Sequence, residues 1–226
     1  MSTLLEIKSL IHCESGCIPL RKIENVTYNL FGRDSLKSIM ILKACRLSAD
    51  THRGKKRRNG EPVINHERSI YLIAVVILGI TDTELLIAIF MHDMFEDYSR
   101  EWPLKRIKTE FESFGPVVSR LVQAVSKPRL RGRNKMSRSY NLSLVKRIHR
   151  GGKRAMTLKV IDRLHNMITL FNNDRLNLLW KIEQTMKYIV PMSLEVETLS
   201  VELSQAVNEQ IVIHNISTKE LASVNF

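Results

Sequence analysis

Residues Thr81 to Asp97, TDTELLIAIFMHDMFED, constrain this chain more than any other stretch. Thr81 and Glu84 have the spacing of a capping box, so a helix is expected to open here. The apolar run Leu85 to Met91 carries that helix into a core, and His92, Asp93, Glu96 and Asp97 stand at its end. On a helix His92 and Glu96 share one face, and Asp93 and Asp97 share the next. Unpaired charges beside an apolar core are costly, and a bound metal ion makes such a cluster tolerable.

The rest of the chain reads as helices around this one. Leu36, Ile39, Met40, Leu42, Ala44 and Leu47 form a helical stripe over Ser35 to His52, with Asp34 or Ser35 as its cap. Gly54, Gly60 and Pro62 then break helix, and a basic loop runs to His66. From His66 to about Leu78 the pattern is almost wholly apolar, as in a helix covered on all sides. Further helices are expected at Leu4 to Cys13, Pro103 to Phe114, Val117 to Val125, Ser137 to His149, Lys153 to Phe171, Leu176 to Ile189 and Ser193 to Ile213. Met1 to Gly32 is otherwise irregular in pattern, and Lys127 to Lys135 reads as a loop. Strand-like alternation is nearly absent. The expected fold is all-α, a single-domain irregular helical bundle over residues 1–226, with helices 176–213 packing on the preceding core.

Three cysteines, Cys13, Cys17 and Cys45, are too few for a disulfide framework and suit a reducing cytosol. Cys13, Cys17 and His12 lack the second pair that a zinc site needs. The longest apolar run, Ile70 to Ile80, is eleven residues, too short to span a bilayer. No signal peptide is visible, so a cytoplasmic protein is expected. The formal charge of +12 is localised: residues 113–161 hold thirteen Lys or Arg and no Asp or Glu. Such a field points to a polyanion, either nucleic acid or a phosphorylated small molecule. Phe114 and Tyr140 are the only aromatic residues in that segment, so it offers little base stacking and nucleic acid is the less favoured partner.

His66, His92, Asp93 and Asp162 make a mixed nitrogen and oxygen set. That set suits manganese, iron or zinc better than calcium. Glu96, one turn beyond His92, is placed for proton transfer, and Asp97 is placed to assist or to orient a ligating histidine. Asp162, Asn166 and Thr169 share one face of their helix. His165 reads as a packed or surface histidine rather than a ligand.

Three segments together carry a resemblance: HRGKKRRNGEPVINH (His52 to His66), HDMFED (His92 to Asp97) and KVIDRLHNMITL (Lys159 to Leu170). In order and spacing, over Ser35 to Leu170, the chain resembles the HD-domain hydrolases of (p)ppGpp, comprising the hydrolase half of Rel/SpoT proteins and the small alarmone hydrolases, the metazoan SpoT homologue among them. The resemblance implies an HD-type bundle with a motif core over 35–170. It implies Mn2+ on His66, His92, Asp93 and Asp162, with Glu96 and Asp97 as the catalytic pair. Arg57, Arg58 and Asn59 would pack around the nucleotide, Asn166 and Thr169 would line the nucleoside pocket, and Lys127 would contact a phosphate. The implied reaction removes the 3′-pyrophosphate of ppGpp or pppGpp to give GDP or GTP. Alternatives are (p)ppApp or NADPH as substrate, or an idle HD protein that binds nucleic acid through its basic segment.

The chain departs from the family pattern where Glu67 replaces a common proline, Asn59 a serine and Ile168 a basic residue, and Asn134-Lys135-Met136 only loosely echoes a family stretch. These changes leave the metal set intact and bear on base preference and phosphate recognition. No synthetase segment follows the motifs, so a hydrolase-only chain is expected. Leu194, Val196, Leu199, Val201 and Leu203 suit either the core or a homo-oligomer contact.

Overall fold

Helix follows the apolar stripes through most of the chain. The computed structural model describes residues 3–13, 16–127, 138–171 and 174–223. In order come α1 (Thr3–Ile11), α2 (Leu20–Phe31), α3 (Leu36–Thr51), α4 (Val63–Leu72), α5 (Thr83–Asp97), α6 (Leu104–Glu110), α7 (Gly115–Val125) and α8 (Arg138–Arg150). They are followed by α9 (Gly152–Ile168), α10 (Arg175–Gln184), α11 (Val190–Glu195), α12 (Ser200–Ile213) and α13 (Thr218–Ser223). No strand forms among the described residues; Lys56 and Pro62 make an isolated bridge. The fold is all-α, as expected.

Helix α5 is the axis of the bundle. Leu86, Ile87, Ala88, Ile89, Phe90 and Met91 are all fully buried, so this helix is apolar around its whole circumference and needs neighbours on every side. Helices α3, α4, α7 and α9 supply them. Phe90 packs on Tyr71 of α4 with ring centroids 5.4 Å apart, and the Tyr71 hydroxyl meets Thr27 Oγ1 of α2 at 2.7 Å. Burial pushes that phenol up to about 12, so it stays a neutral hydrogen-bonding group that ties α2 to the core.

The boundaries correct several expectations. The cap of α5 is Asp82, not Thr81: its carboxylate accepts from Leu85 N at 3.0 Å. Glu84 is not bonded back to Thr81 but pairs with Arg154 at 3.0 Å. The stretch before Gly32 holds a full helix, α2, whose buried Ile23 and Thr27 face the core. The helix ending near Leu78 changes register: α4 runs into a π turn over Ile73–Ile77, as α10 does over Thr185–Ile189. The single helix expected over Ser193 to Ile213 is two, α11 and α12, because Glu197 and Leu199 adopt left-handed φ of 55° and 56°. The loop expected at Lys127 to Lys135 lies, beyond Lys127, outside the described residues, as does the Asn134-Lys135-Met136 echo.

Candidate metal centre

Three helices that share the core bring the candidate ligands together. Helix α4 carries His66, α5 carries His92 and Asp93, and α9 carries Asp162; α9 packs on both α4 and α5. His66 Nε2 lies 3.1 Å from Asp162 Oδ1 and 3.6 Å from Asp93 Oδ2. His92 Nε2 lies 3.2 Å from Asp93 Oδ1. One ligand atom each from His66, His92 and Asp162 falls within 4.8 Å of the others, and all three residues are buried. The quartet read from the sequence therefore converges from segments 26 and 70 residues either side of His92.

The surrounding hydrogen bonds decide which ring atoms carry protons. His92 Nδ1 meets the Ile89 carbonyl at 2.7 Å; a carbonyl only accepts, so Nδ1 donates and Nε2 is the ring atom turned toward Asp93. That Nε2 is buried and has no hydrogen-bond partner. Arg57 Nη1 lies 3.2 Å from His165 Nδ1, and a guanidinium only donates, so His165 Nδ1 is an acceptor. His66 Nδ1, 2.9 Å from the same His165 atom, must then be the donor, which leaves its Nε2 to face Asp162 Oδ1. Burial, then the charge of Arg57, lowers the His66 pKa. Burial, then His66 and Arg57, pulls that of His165 well down. Both rings are neutral.

The Nε2 atoms of His66 and His92 thus face carboxylate oxygens. Asp162 and Asp93 repel one another as like charges, and this mixed nitrogen and oxygen set is one that a divalent ion takes. Asp162 is held ready for it. Burial opposes its ionisation, yet Lys159 Nζ at 2.6 Å holds the carboxyl well below the usual range. Asn166 Nδ2 donates to Asp162 Oδ1 at 2.6 Å, and Arg57 Nη2 donates to Asn166 Oδ1 at 2.6 Å. Arg57 therefore braces two ligands, His66 through His165 and Asp162 through Asn166. Its position is fixed by a closed turn, with Arg57 N bonded to Glu61 O at 2.7 Å and Gly60 N to Arg57 O at 3.0 Å.

The other expected residues distribute around this centre. Glu96 accepts from Lys127 twice, from its backbone N at 3.0 Å and from Nζ at 3.2 Å; that carboxylate raises the Lys127 pKa. Asp97 and Arg58 are exposed. Asn59 is occupied by its own turn, bonding Glu61 Oε2 at 2.9 Å and Glu61 N at 3.1 Å. The Thr169 hydroxyl bonds back to His165 O at 2.8 Å. Two clefts flank α9. One, of about 290 Å³, has Glu61, Asn65, His165 and Thr169 in its wall; the other, of about 370 Å³, has Lys127, Lys159, Asp162 and Asn166.

Three further outcomes refine the sequence reading. Glu67, in the place of a proline, is fully buried and bonded to Ser48 Oγ; burial, then Asp93, pushes its carboxyl well up, so it is neutral and adds no charge beside His66. Cys13 Sγ bonds Cys17 O at 3.0 Å, and these cysteines form no metal-ligand cluster with His12 among the described residues. The basic segment is partly turned inward: Arg154 pairs with Asp82 and Glu84, Arg147 bonds the Ala124 and Ser126 carbonyls, and Lys127 and Lys159 pair with Glu96 and Asp162.

The model of the HD domain matches residues 44–189, a span that contains every ligand named above. The chain belongs to the HD-domain family. It is 30% identical over 156 residues to a GTP pyrophosphokinase of Streptomyces coelicolor, matching 68% of this chain and 17% of that one. It is 31% identical over 137 residues to the bifunctional (p)ppGpp synthase/hydrolase SpoT of Escherichia coli K12, matching 58% of this chain and 18% of the other. The chain thus spans about a sixth of the length of the curated relatives it matches. A solved structure of a metazoan ortholog of SpoT, described as hydrolysing ppGpp, shares the fold with a TM-score of 0.57 at 21% identity, covering 79% of this chain and 97% of that one. Among the described residues no helix of this HD domain is long and apolar enough to cross a membrane.

Proposed function

We propose that this HD domain is a manganese-dependent hydrolase that removes the 3′-pyrophosphate from (p)ppGpp. The observation that supports it most is the convergence of the His66 and His92 Nε2 atoms with the Asp93 and Asp162 carboxylates. In this reading His66, His92, Asp93 and Asp162 hold the cation. When bound, it supplies polarisation of a phosphoryl oxygen and acidification of water. Glu96, one helical turn from His92 and paired with Lys127 at 3.2 Å, would accept the proton of the attacking water. Asp97, at the helix end, assists proton exchange with solvent. Arg57 sets the ligand tautomers, Arg58 and Lys127 meet phosphates, and Asn166 orients Asp162. The polar cleft walled by Asn65 and Thr169 takes the nucleoside.

The inward pairing of Lys127, Arg147, Arg154 and Lys159 supports an enzyme over a nucleic-acid binder, since those charges neutralise carboxylates and carbonyls of the fold. The test is incubation of purified protein and Mn2+ with ppGpp, pppGpp, ppApp and NADPH, following pyrophosphate or phosphate release. Pyrophosphate with GDP is expected from ppGpp, and Asp93→Ala is expected to lower the rate by at least ~10³-fold, because one side chain is lost from the cation site. Metal-loaded protein that leaves ppGpp intact while cleaving another substrate would reassign the substrate. Salt-sensitive nucleic-acid binding unchanged by Asp93→Ala, with no cleavage of any substrate, would favour the idle reading.

A further inference from the structure

The cleft beside Asp162 holds more positive charge than the cation site requires. Its wall carries Lys127, Lys159, Arg163 and Lys181 against one carboxylate, Asp162. Two of those cations are answered: Lys159 by Asp162 at 2.6 Å and Lys127 by Glu96 at 3.2 Å. The other two are not. Arg163 bonds only neutral oxygens, Gln184 Oε1 at 2.6 Å and Thr185 Oγ1 at 3.3 Å, and its buried Nε has no partner. No carboxylate of the described residues lies within ion-pair distance of Lys181, and residues 113–161 contain none in sequence. A chain that places two uncompensated cations in a half-buried cleft gives up stability there, and a bound anion offsets that cost.

We propose that the cleft walled by Arg163, Lys181 and Trp180 is a diphosphate site, and that it receives the pyrophosphate leaving group. The assignment rests on the hydrolase reading above. Its geometry is that of an exit: the cleft shares Asp162 and Asn166 with the cation site, so a group released there enters it directly. The cleft across α9 lacks that excess of positive charge, with Lys8 offset by Glu61 beside Asn65 and Thr169 in its wall, and suits a nucleoside better than a polyanion. Burial, followed by the nearby charges of Arg163 and Lys127, lowers the Lys181 pKa to about 8. Its ammonium is therefore poised to be stabilised by an arriving anion. A 5′-diphosphate has the same chemistry as the leaving group, so the two must be told apart by experiment.

Calorimetric titration of metal-free protein with inorganic pyrophosphate, and separately with GDP, distinguishes them. Lys181→Gln is expected to weaken pyrophosphate binding at least ~10-fold, the loss of one charge-assisted contact, and to leave GDP binding unchanged. Lys181→Arg restores most of the pyrophosphate affinity. Equal pyrophosphate affinity in wild type and Lys181→Gln overturns the site. Weakened GDP binding with unchanged pyrophosphate binding overturns the leaving-group assignment and gives the cleft to the 5′-diphosphate. Because no turnover is involved, a protein that fails to cleave ppGpp can still show this site, and one that cleaves it can still lack it.

Discussion

Arg57 shows how much of a candidate metal centre is held in place by residues outside the ligand set. Its guanidinium reaches His165 at 3.2 Å and Asn166 at 2.6 Å, and through them it fixes the proton on His66 and the rotamer of Asp162. A lysine at this position has the charge but not the planar fork that serves both acceptors at once. Arg57→Lys is therefore expected to weaken Mn2+ binding about 10–100-fold, the range for loss of a group that orients ligands, measured by titration calorimetry or by the free-ion EPR signal. A purely substrate-packing Arg57 would leave that affinity unchanged while raising KM. The His165→Gln exchange should mimic the metal defect, because it removes the ring acceptor of His66 Nδ1. The candidate ligands are legible in sequence, since their residue types and order are local facts. The Arg57 bridge was not, because it joins residues 108 and 109 positions apart and depends on which nitrogen holds a proton. His165 is buried and outside the candidate ligand cluster, in keeping with a packed histidine, and only its bonds to Arg57 and His66 lie beyond the sequence.

At the scale of the element, apolar periodicity placed α3, α5, α7, α8 and α9 to within a few residues, because each buries one stripe or its whole circumference. Failures came where backbone conformation has no side-chain signature. Glu197 and Leu199 turn left-handed without a glycine, and the residues of α2 present only a narrow buried face, Ile23 and Thr27. Glycine at the start of α7 is a different matter. A Cβ on Gly115 would fall on the backbone carbonyl of Lys108 in α6, so the two helices can approach this closely only over a glycine. Backbone cannot swing aside as a side chain can. Gly115→Ala is expected to destabilise by about 1–3 kcal/mol, as overpacking does, which lowers Tm by roughly 2–12 °C for a chain of this size. An unchanged melting curve would mean that α6 shifts freely on α7. Since α7 also packs on α5, the variant should lose some Mn2+ affinity as well.

For the whole molecule, the candidate cation site lies where three helices from distant parts of the chain meet, and none of them can supply it alone. Without a cation, the Asp93 and Asp162 carboxylates repel one another beside the Nε2 atoms of His66 and His92 at 3.1–3.6 Å, so the convergence of α4, α5 and α9 is opposed by its own candidate ligands. An ion that binds only the converged state stabilises the fold by mass action, about 2.7 kcal/mol at a free concentration 100 times its Kd. At roughly 2–4 °C per kcal/mol for a chain of this length, Mn2+ at that concentration should raise Tm by about 5–11 °C, and a chelator should reverse the rise. Asp93→Ala should abolish most of the shift while barely lowering the metal-free Tm, because it removes one of the mutually repelling groups. If metal-free Tm instead falls by as much as the metal shift is lost, Asp93 holds the bundle together by itself. The cluster would then be a structural ion-pair network, not a cation site.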